Sequence, residues 1–450
     1  MNHPTSRPLR IFVDHGEAYG NLGDEAMLLN ALERLARFLG PCEFVLPSEP
    51  GKPLPPQLPQ VETTLPPHME FERWARQFAK FLGLCQRLPL IRRLVLEPIV
   101  PTAWKMGELW INVKITLWQW GILKSPGKFL LPFFEALKSC DAFYGVGAAD
   151  FNDLWHQGVI YKSWLYTVAS RYVKVCAVSS QGIGPLATKW ARRRMALAFS
   201  RLDLLSFRDH FLSQQIVEEE KISRVRYKIV GDEAFSLATA KAGAVKELLR
   251  RSGLPENASF VAVHFRTTDY TQDTSHWDTR IAAILDQVAE IIPHFFVFFP
   301  MSYHLHSGND EEYGRTIKSK MKHRERLCIA PIHRDVRVIK GAVGQSRYSL
   351  GLSYHVHIFS LSQGHPAAIL FTGDYYRCKS EGLVSFYGKP NAALDLAATP
   401  DDQIIEAIRE LETNYHATCA AITGVNQELL QVNDWTLREL AVLLERGGGQ

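Results

Sequence analysis

Apolar runs that leave into short polar or glycine turns, most followed by a helical pattern, recur from Leu9 to Phe371. This alternation constrains the chain more than any single residue. Strands alternating with helices define a parallel sheet covered by helices on both faces. In the first half the runs fall at 9–13, 42–46, 141–146, 173–179, 204–207 and 227–230. In the second half they fall at 259–265, 294–299 and 366–371. Ligands of such sheets sit beyond the carboxyl ends of the strands. Gln181, Arg208 and Asp232 stand at those ends, as do the glycine turns.

The first turn, Asp14-His-Gly-Glu-Ala-Tyr-Gly-Asn-Leu-Gly-Asp-Glu-Ala-Met27, is the densest in glycine. Met27, Leu28, Ala31, Leu32, Leu35, Ala36 and Leu39 then share one helical face. Gly16, Gly20 and Gly23 allow a tight turn and a close approach to a ligand. Such a turn gathers backbone N–H groups at the positive end of a helix, where an anion binds. The spacing is neither a dinucleotide fingerprint nor a P-loop. Asp24 and Glu25 stabilise the helix dipole and would repel a phosphate there. An anion cradle and a plain strand-to-helix turn are both compatible with these residues.

Length and composition narrow the class. A chain of 450 residues, 46% of them apolar, supports two cores. We expect a domain over 1–235, interrupted by an insertion at about 70–125, a second over 255–395, and a helical tail over 396–450. With 51 basic and 47 acidic residues, the net charge of +4 gives no reason to expect nucleic acid as a partner. The seven cysteines are scattered and form no Cys-x-x-Cys, which fits a reducing compartment. Neither a secretory leader nor an apolar span of membrane length is visible, so the expected location is the cytoplasm.

The insertion is aromatic, apolar and basic, with Trp74, Arg87, Arg92, Arg93, Trp104, Lys105, Trp110, Lys114, Trp118 and Trp120. It reads as a helical cap over the sheet. It also reads as a surface that rests on the inner face of a membrane. Two histidine pairs, His304-x-His306 and His355-x-His357, resemble metal ligands. Residues two apart on a helix point in different directions, so His355 and His357 are not expected to share an ion, and no metal site is expected.

Several motifs, in order, resemble the polysaccharide pyruvyl transferase family. They are Tyr19-Gly-Asn-Leu-Gly-Asp-Glu-Ala26, Ser180-Gln-Gly-Ile-Gly-Pro185, Ser206-Phe-Arg-Asp209, Gly231-Asp232 and Val263-His-Phe-Arg266. The segment from Ser353 through Pro366 is similar to the family's Arg-Leu-His helix and following proline, and 375–379 to its Tyr-x-x-Lys. The resemblance implies an α/β fold of two Rossmann-like domains facing a cleft, like GT-B glycosyltransferases, with a helical insertion in the first and a helical tail. It implies transfer of a pyruvyl group from phosphoenolpyruvate to a sugar hydroxyl pair, forming a ketal, with no cofactor. It places the family histidine at His355. Ser353 stands where the family often has that arginine, so the contact is either missing or supplied by Arg347 or Arg377.

Phosphoenolpyruvate carries a carboxylate and a phosphate, which call for arginine forks and a lysine. Arg208, Arg266, His355, Lys379, Gly20, Asn21 and Gly23 are the expected donor-binding residues. His355, Asp24 and Glu25 are the expected proton carriers, and Asp150, Gln181 and Asp232 the expected acceptor contacts. A GT-B glycosyltransferase using a nucleotide sugar and a non-catalytic protein binding a glycan or another protein are the alternatives.

Overall fold

The computed structural model describes residues 7–15, 19–81, 97–222, 225–266, 276–303, 310–387 and 393–447. Gly16, Arg87, Arg92, Arg93, His304 and His306, named above, lie outside the described residues.

Parallel strands that are covered on both faces read as continuous apolar runs, and that is how the central strands read. Strands β1 Leu9–Asp14, β2 Cys42–Pro47, β3 Val61–Thr64, β4 Ala142–Val146, β5 Val175–Gln181, β6 Leu204–Phe207 and β7 Arg226–Ile229 form one sheet. Its order is β3-β2-β1-β4-β5-β6-β7. Strands β8 Phe260–His264, β9 Phe295–Phe298, β10 Leu327–Ile329, β11 Ser349–Gly351, β12 Ala367–Phe371 and β13 Ala393–Asp395 form the other. Its order is β10-β9-β8-β11-β12-β13. Strands β4, β5 and β8 are buried along their whole length. Each sheet reverses its strand order beside its first strand. A crevice therefore opens beyond the ends of β1 and β4, and another beyond β8 and β11. This is a two-domain Rossmann-like α/β fold.

The proline-crowded stretch at 47–68 contains β3. Residues 375–379 sit on the helix Gly373–Ser385. The insertion is a helical cap in which His68–Phe81 and Glu97–Gln119 pack on each other, the latter also on His156–Ala169. Phe71 stacks on Trp104 with ring centroids 5.3 Å apart. Among the described residues, no helix is long and apolar enough to cross a membrane.

The tail consists of three helices, Asp401–Thr413, Tyr415–Asn433 and Trp435–Gly447. The first packs against Trp277–Ile291, beside the second sheet; the last packs on β5, β6 and the helix Leu22–Leu39. Thr436 Oγ1 donates to Ser206 Oγ at 2.7 Å. Arg34 reaches Glu233 at 2.8 Å and Asp434 at 2.7 Å. Glu233 Oε2 accepts from Ser179 Oγ at 2.6 Å. The middle helix bridges the sheets. Asn426 donates to Leu361 O at 2.6 Å, and Asn433 to Val230 O at 2.9 Å. The chain thus passes between the sheets near 236–258 and returns near 414–434. At the first passage, Lys340 Nζ donates to Ala234 O at 3.1 Å and Phe235 O at 2.6 Å.

Candidate active site

The two crevices face each other. Leu22 N–H donates to Met301 O and Tyr303 N–H to Gly20 O, both at 2.9 Å, so the first turn of one sheet pairs with a loop of the other. A β-carbon on Gly23 would stand 1.9 Å from His355 Nδ1. Only glycine lets His355 come this close to the start of the helix Leu22–Leu39. Asn21 caps that helix by accepting from Gly23 N–H at 3.1 Å. Ser353 caps the opposing helix Tyr354–Leu361, accepting from Val356 N–H at 3.4 Å.

A cavity of about 100 Å³ lies at this junction, lined by Asn21, Arg266, His355, Tyr376 and Lys379 together with His264. Arg208 adjoins it. Its guanidinium lies 4.8 Å from the centroid of the Tyr354 ring and 3.9 Å from Asp232 Oδ2. A β-carbon on Gly182 would lie 2.4 Å from Arg208 Nε, so that glycine makes room for the guanidinium. Lys379 Nζ lies over Tyr375 and Tyr354, 4.6 and 5.7 Å from their centroids. Tyr375 meets Trp155 edge-on at 5.1 Å.

Burial sets the charges. The Asp24 carboxyl is pushed up to about 7, chiefly by burial and against the pull of Lys379, with Asp150 adding to the rise. Burial, then Arg208, pushes the Lys379 amine down to about 7. Burial takes the His355 imidazole down to about 4, which Asp232 opposes and Lys379 reinforces. His355 Nε2 has no hydrogen-bond partner among the described residues. His355 is therefore neutral near pH 7, while Asp24 and Lys379 exchange protons close to that pH.

The structure gathers Asp24, Asp150, Arg208, Asp232, His355 and Lys379 into one electrostatic cluster. Arg266 lines the same cavity as His355 and Lys379. Other expected site residues are engaged elsewhere. The turn is not an open cradle: Gly20 N–H donates to Glu25 Oε1 at 2.7 Å and Leu22 N–H to Met301 O. Glu25 Oε1 also accepts from the Tyr303 hydroxyl, tying the two crevices together. Gln181 is buried, with Nε2 donating to Gly182 O at 2.9 Å and also to Ala148 O. The two arginines weighed as substitutes for the family contact are held in ion pairs. Arg347 pairs with Glu412 at 2.7 Å, and Arg377 with Asp374 at 3.2 Å and Glu381 at 3.3 Å.

Sequence reasoning missed the supports of this cluster. Asp310 Oδ2 lies 3.1 Å from His264 Nε2, Oδ1 lies 3.5 Å from Arg266, and Oδ2 accepts Met301 and Ser302 N–H at 2.9 and 2.8 Å. Lys162 Nζ reaches Asp14 at 2.5 Å and Asp150 at 3.5 Å. Lys162 had a visible signal, as a single charge in the apolar run Val159-Ile-Tyr-Lys-Ser-Trp-Leu165. His355 and His357 do part company: His357 lies 2.9 Å from both Ser349 Oγ and Gly351 O. Among the described residues, no group of three or more His, Cys, Asp or Glu is placed to hold a metal ion.

His357 carries a pH prediction. Burial lowers it from 6.5 to about 4. An unfolded histidine takes up a proton near 6.5, whereas the folded one resists until about 4, so stability falls as pH drops through that window. The shift corresponds to about 3 kcal/mol. His15 and His355 behave alike, and Asp24, shifted upward, acts with the opposite sign. Melting curves of the wild type and His357→Gln isolate one group. The variant should lose less melting temperature between pH 6.5 and 4; equal slopes would contradict the assignment.

Two parallel Rossmann-like sheets facing one cleft are the architecture of GT-B glycosyltransferases. UGT73P12 of Glycyrrhiza uralensis, complexed with glycyrrhetinic acid 3-O-monoglucuronide, is similar over 98% of this chain and 96% of its own, with TM-score 0.58 and 9% identity. A glycosyltransferase from Rickettsia africae is similar over 98% and 99%, with TM-score 0.52 and 9% identity. The alpha,alpha-trehalose 6-phosphate synthase of Burkholderia multivorans gives the same coverage and TM-score at 11% identity. At such identities the likeness is one of fold. None of the curated proteins matches the chain. The family model for polysaccharide pyruvyl transferase matches residues 21–371, and the chain belongs to that family.

Proposed function

We propose that the cleft transfers a pyruvyl group from phosphoenolpyruvate to two hydroxyls of a sugar, free in a glycan or carried on a lipid, and leaves a ketal. The size and charge of the cavity carry this reading. About 100 Å³ lined by Arg266 and Lys379, with Arg208 behind the lining residue Tyr354, suits a three-carbon anion. Pockets for larger organic ligands are typically about 300 Å³ or more, so the cavity favours this donor over a nucleotide sugar. In this reading Arg208 and Arg266 hold the carboxylate and phosphate, and Lys379 neutralises the phosphate.

Asp24, protonated near neutrality, gives its proton to the terminal methylene, and C2 gains cationic character. His355, neutral at rest, takes the proton of the attacking hydroxyl. The second hydroxyl closes the ring as phosphate leaves. Of the two hydroxyl protons, one restores Asp24, which made the new methyl group, and the other leaves on phosphate. Glu25, held by Gly20 and Tyr303, has no part in this scheme. Asp150 and Asp232 face the acceptor. The scattered free cysteines support a cytoplasmic setting.

Thermal melts with phosphoenolpyruvate, UDP, GDP and CMP test the donor. A ligand that binds only the folded chain raises its melting temperature. A rise with phosphoenolpyruvate alone is expected. A rise with a nucleotide alone would replace this reading by glycosyl transfer.

A further inference from the structure

The helix Glu97–Gln119 has two apolar faces. Trp104, Ile111 and Ile115 point inward and are buried. That face already has its core: Trp104 stacks on Phe71, and Asn112 Oδ1 accepts from Trp164 Nε1 at 3.1 Å. The outward face carries Met106, Leu109, Trp110 and Val113, and its line continues into Trp120 and Ile122. Leu109 is 67% exposed, Trp120 72% and Ile122 64%. A helix normally turns one apolar face to the core and a polar one to solvent, so a second apolar stripe calls for a cover.

A basic border runs beside this stripe. The helix Lys189–Phe199 lies alongside, joined by the Glu108–Arg194 ion pair and by Lys105 Nζ at 3.9 Å from the Trp190 ring centroid. It adds Leu197, 68% exposed, and the exposed cations Lys189 and Arg193. Lys189 and Arg193 have no acidic partner among the described residues. From Lys189 to Arg201 the chain has five basic residues, Lys189, Arg192, Arg193, Arg194 and Arg201, and no acidic one.

We propose that this face docks on an anionic lipid bilayer. Tryptophans and aliphatic side chains would enter the headgroup boundary, and the cations would meet lipid phosphates. Charge complementarity selects the occupant. A matching face of a second copy would set the same cations against each other, whereas anionic headgroups neutralise them. The proposal does not depend on which donor the cleft uses.

Cosedimentation of the full chain with vesicles tests it. The protein should pellet with equimolar phosphatidylcholine and phosphatidylglycerol, pellet less at high salt, and stay largely soluble with phosphatidylcholine alone. Leu109→Asp with Trp120→Asp should lower partition about tenfold or more, and Arg193→Glu about fivefold. Melting temperature and the response to phosphoenolpyruvate serve as controls and should not change. If the double variant unfolds, Leu109→Gln replaces it and should still weaken binding. Quenching of tryptophan emission by brominated lipid should fall in Trp110→Phe with Trp120→Phe. Failure to pellet with either vesicle, or equal partition of wild type and variants, would overturn the proposal. So would a lipid-free dimer that Leu109→Asp converts to monomer, because the face would then be an interface between copies.

Discussion

His355→Ala is expected to lower the rate of phosphate release from phosphoenolpyruvate and acceptor about a thousandfold, within the range for loss of a general acid or base. Burial keeps the imidazole neutral at working pH, so it rests in the form that accepts a proton. Its Nε2 is buried with no hydrogen-bond partner among the described residues, and the residue lines the cavity. The ring packs on Gly23, so alanine leaves a void at the junction of the crevices. His355→Asn, which fills more of that space, separates packing from chemistry. If the asparagine variant is also slow but still melts higher with phosphoenolpyruvate, the loss is chemical. A near-normal rate in either variant would remove His355 from the mechanism.

Arg208→Lys should lower turnover about a hundredfold or more, the typical loss for one donor of a preorganised anion site. It should also abolish the melting shift with phosphoenolpyruvate. Arginine offers a planar fork with donors in fixed positions, and lysine a single charge on a flexible stem. Here the fork is set by its neighbours: it lies over Tyr354, touches the space left by Gly182 and faces Asp232. An ammonium beside Lys379 would be a second desolvated amine, readily deprotonated, and part of the site's positive charge would be lost. A variant that keeps the melting shift would show that Arg266 and Lys379 suffice to hold the anion.

The long buried strands were legible because a run such as Val175–Gln181 carries its own pattern. Strands β10, β11 and β13 have three residues each, too few to show alternation, and tertiary pairing alone makes them strands. At the site, Arg208, Lys379 and His355 stand in distinctive motifs, and the fold brings them together. Their partners were not legible. Asp310 orients Arg266 across 44 residues of sequence, and Lys162 reaches Asp14 from 148 residues away. Glu25 and Gln181 looked like proton carrier and acceptor contact because their motif positions suggested it. Nothing local reveals that Tyr303 and Ala148 would engage them first.

The return of the chain near 414–434 has a mechanical consequence. One passage between two rigid bodies would act as a universal joint, free to swing in any direction. Two passages brace the sheets against that swing, held by Lys340 on the carbonyls of Ala234 and Phe235 and by Asn433 on that of Val230. The pairing of Gly20 with Tyr303 then ties the sheets a third time, at the mouth of the cleft.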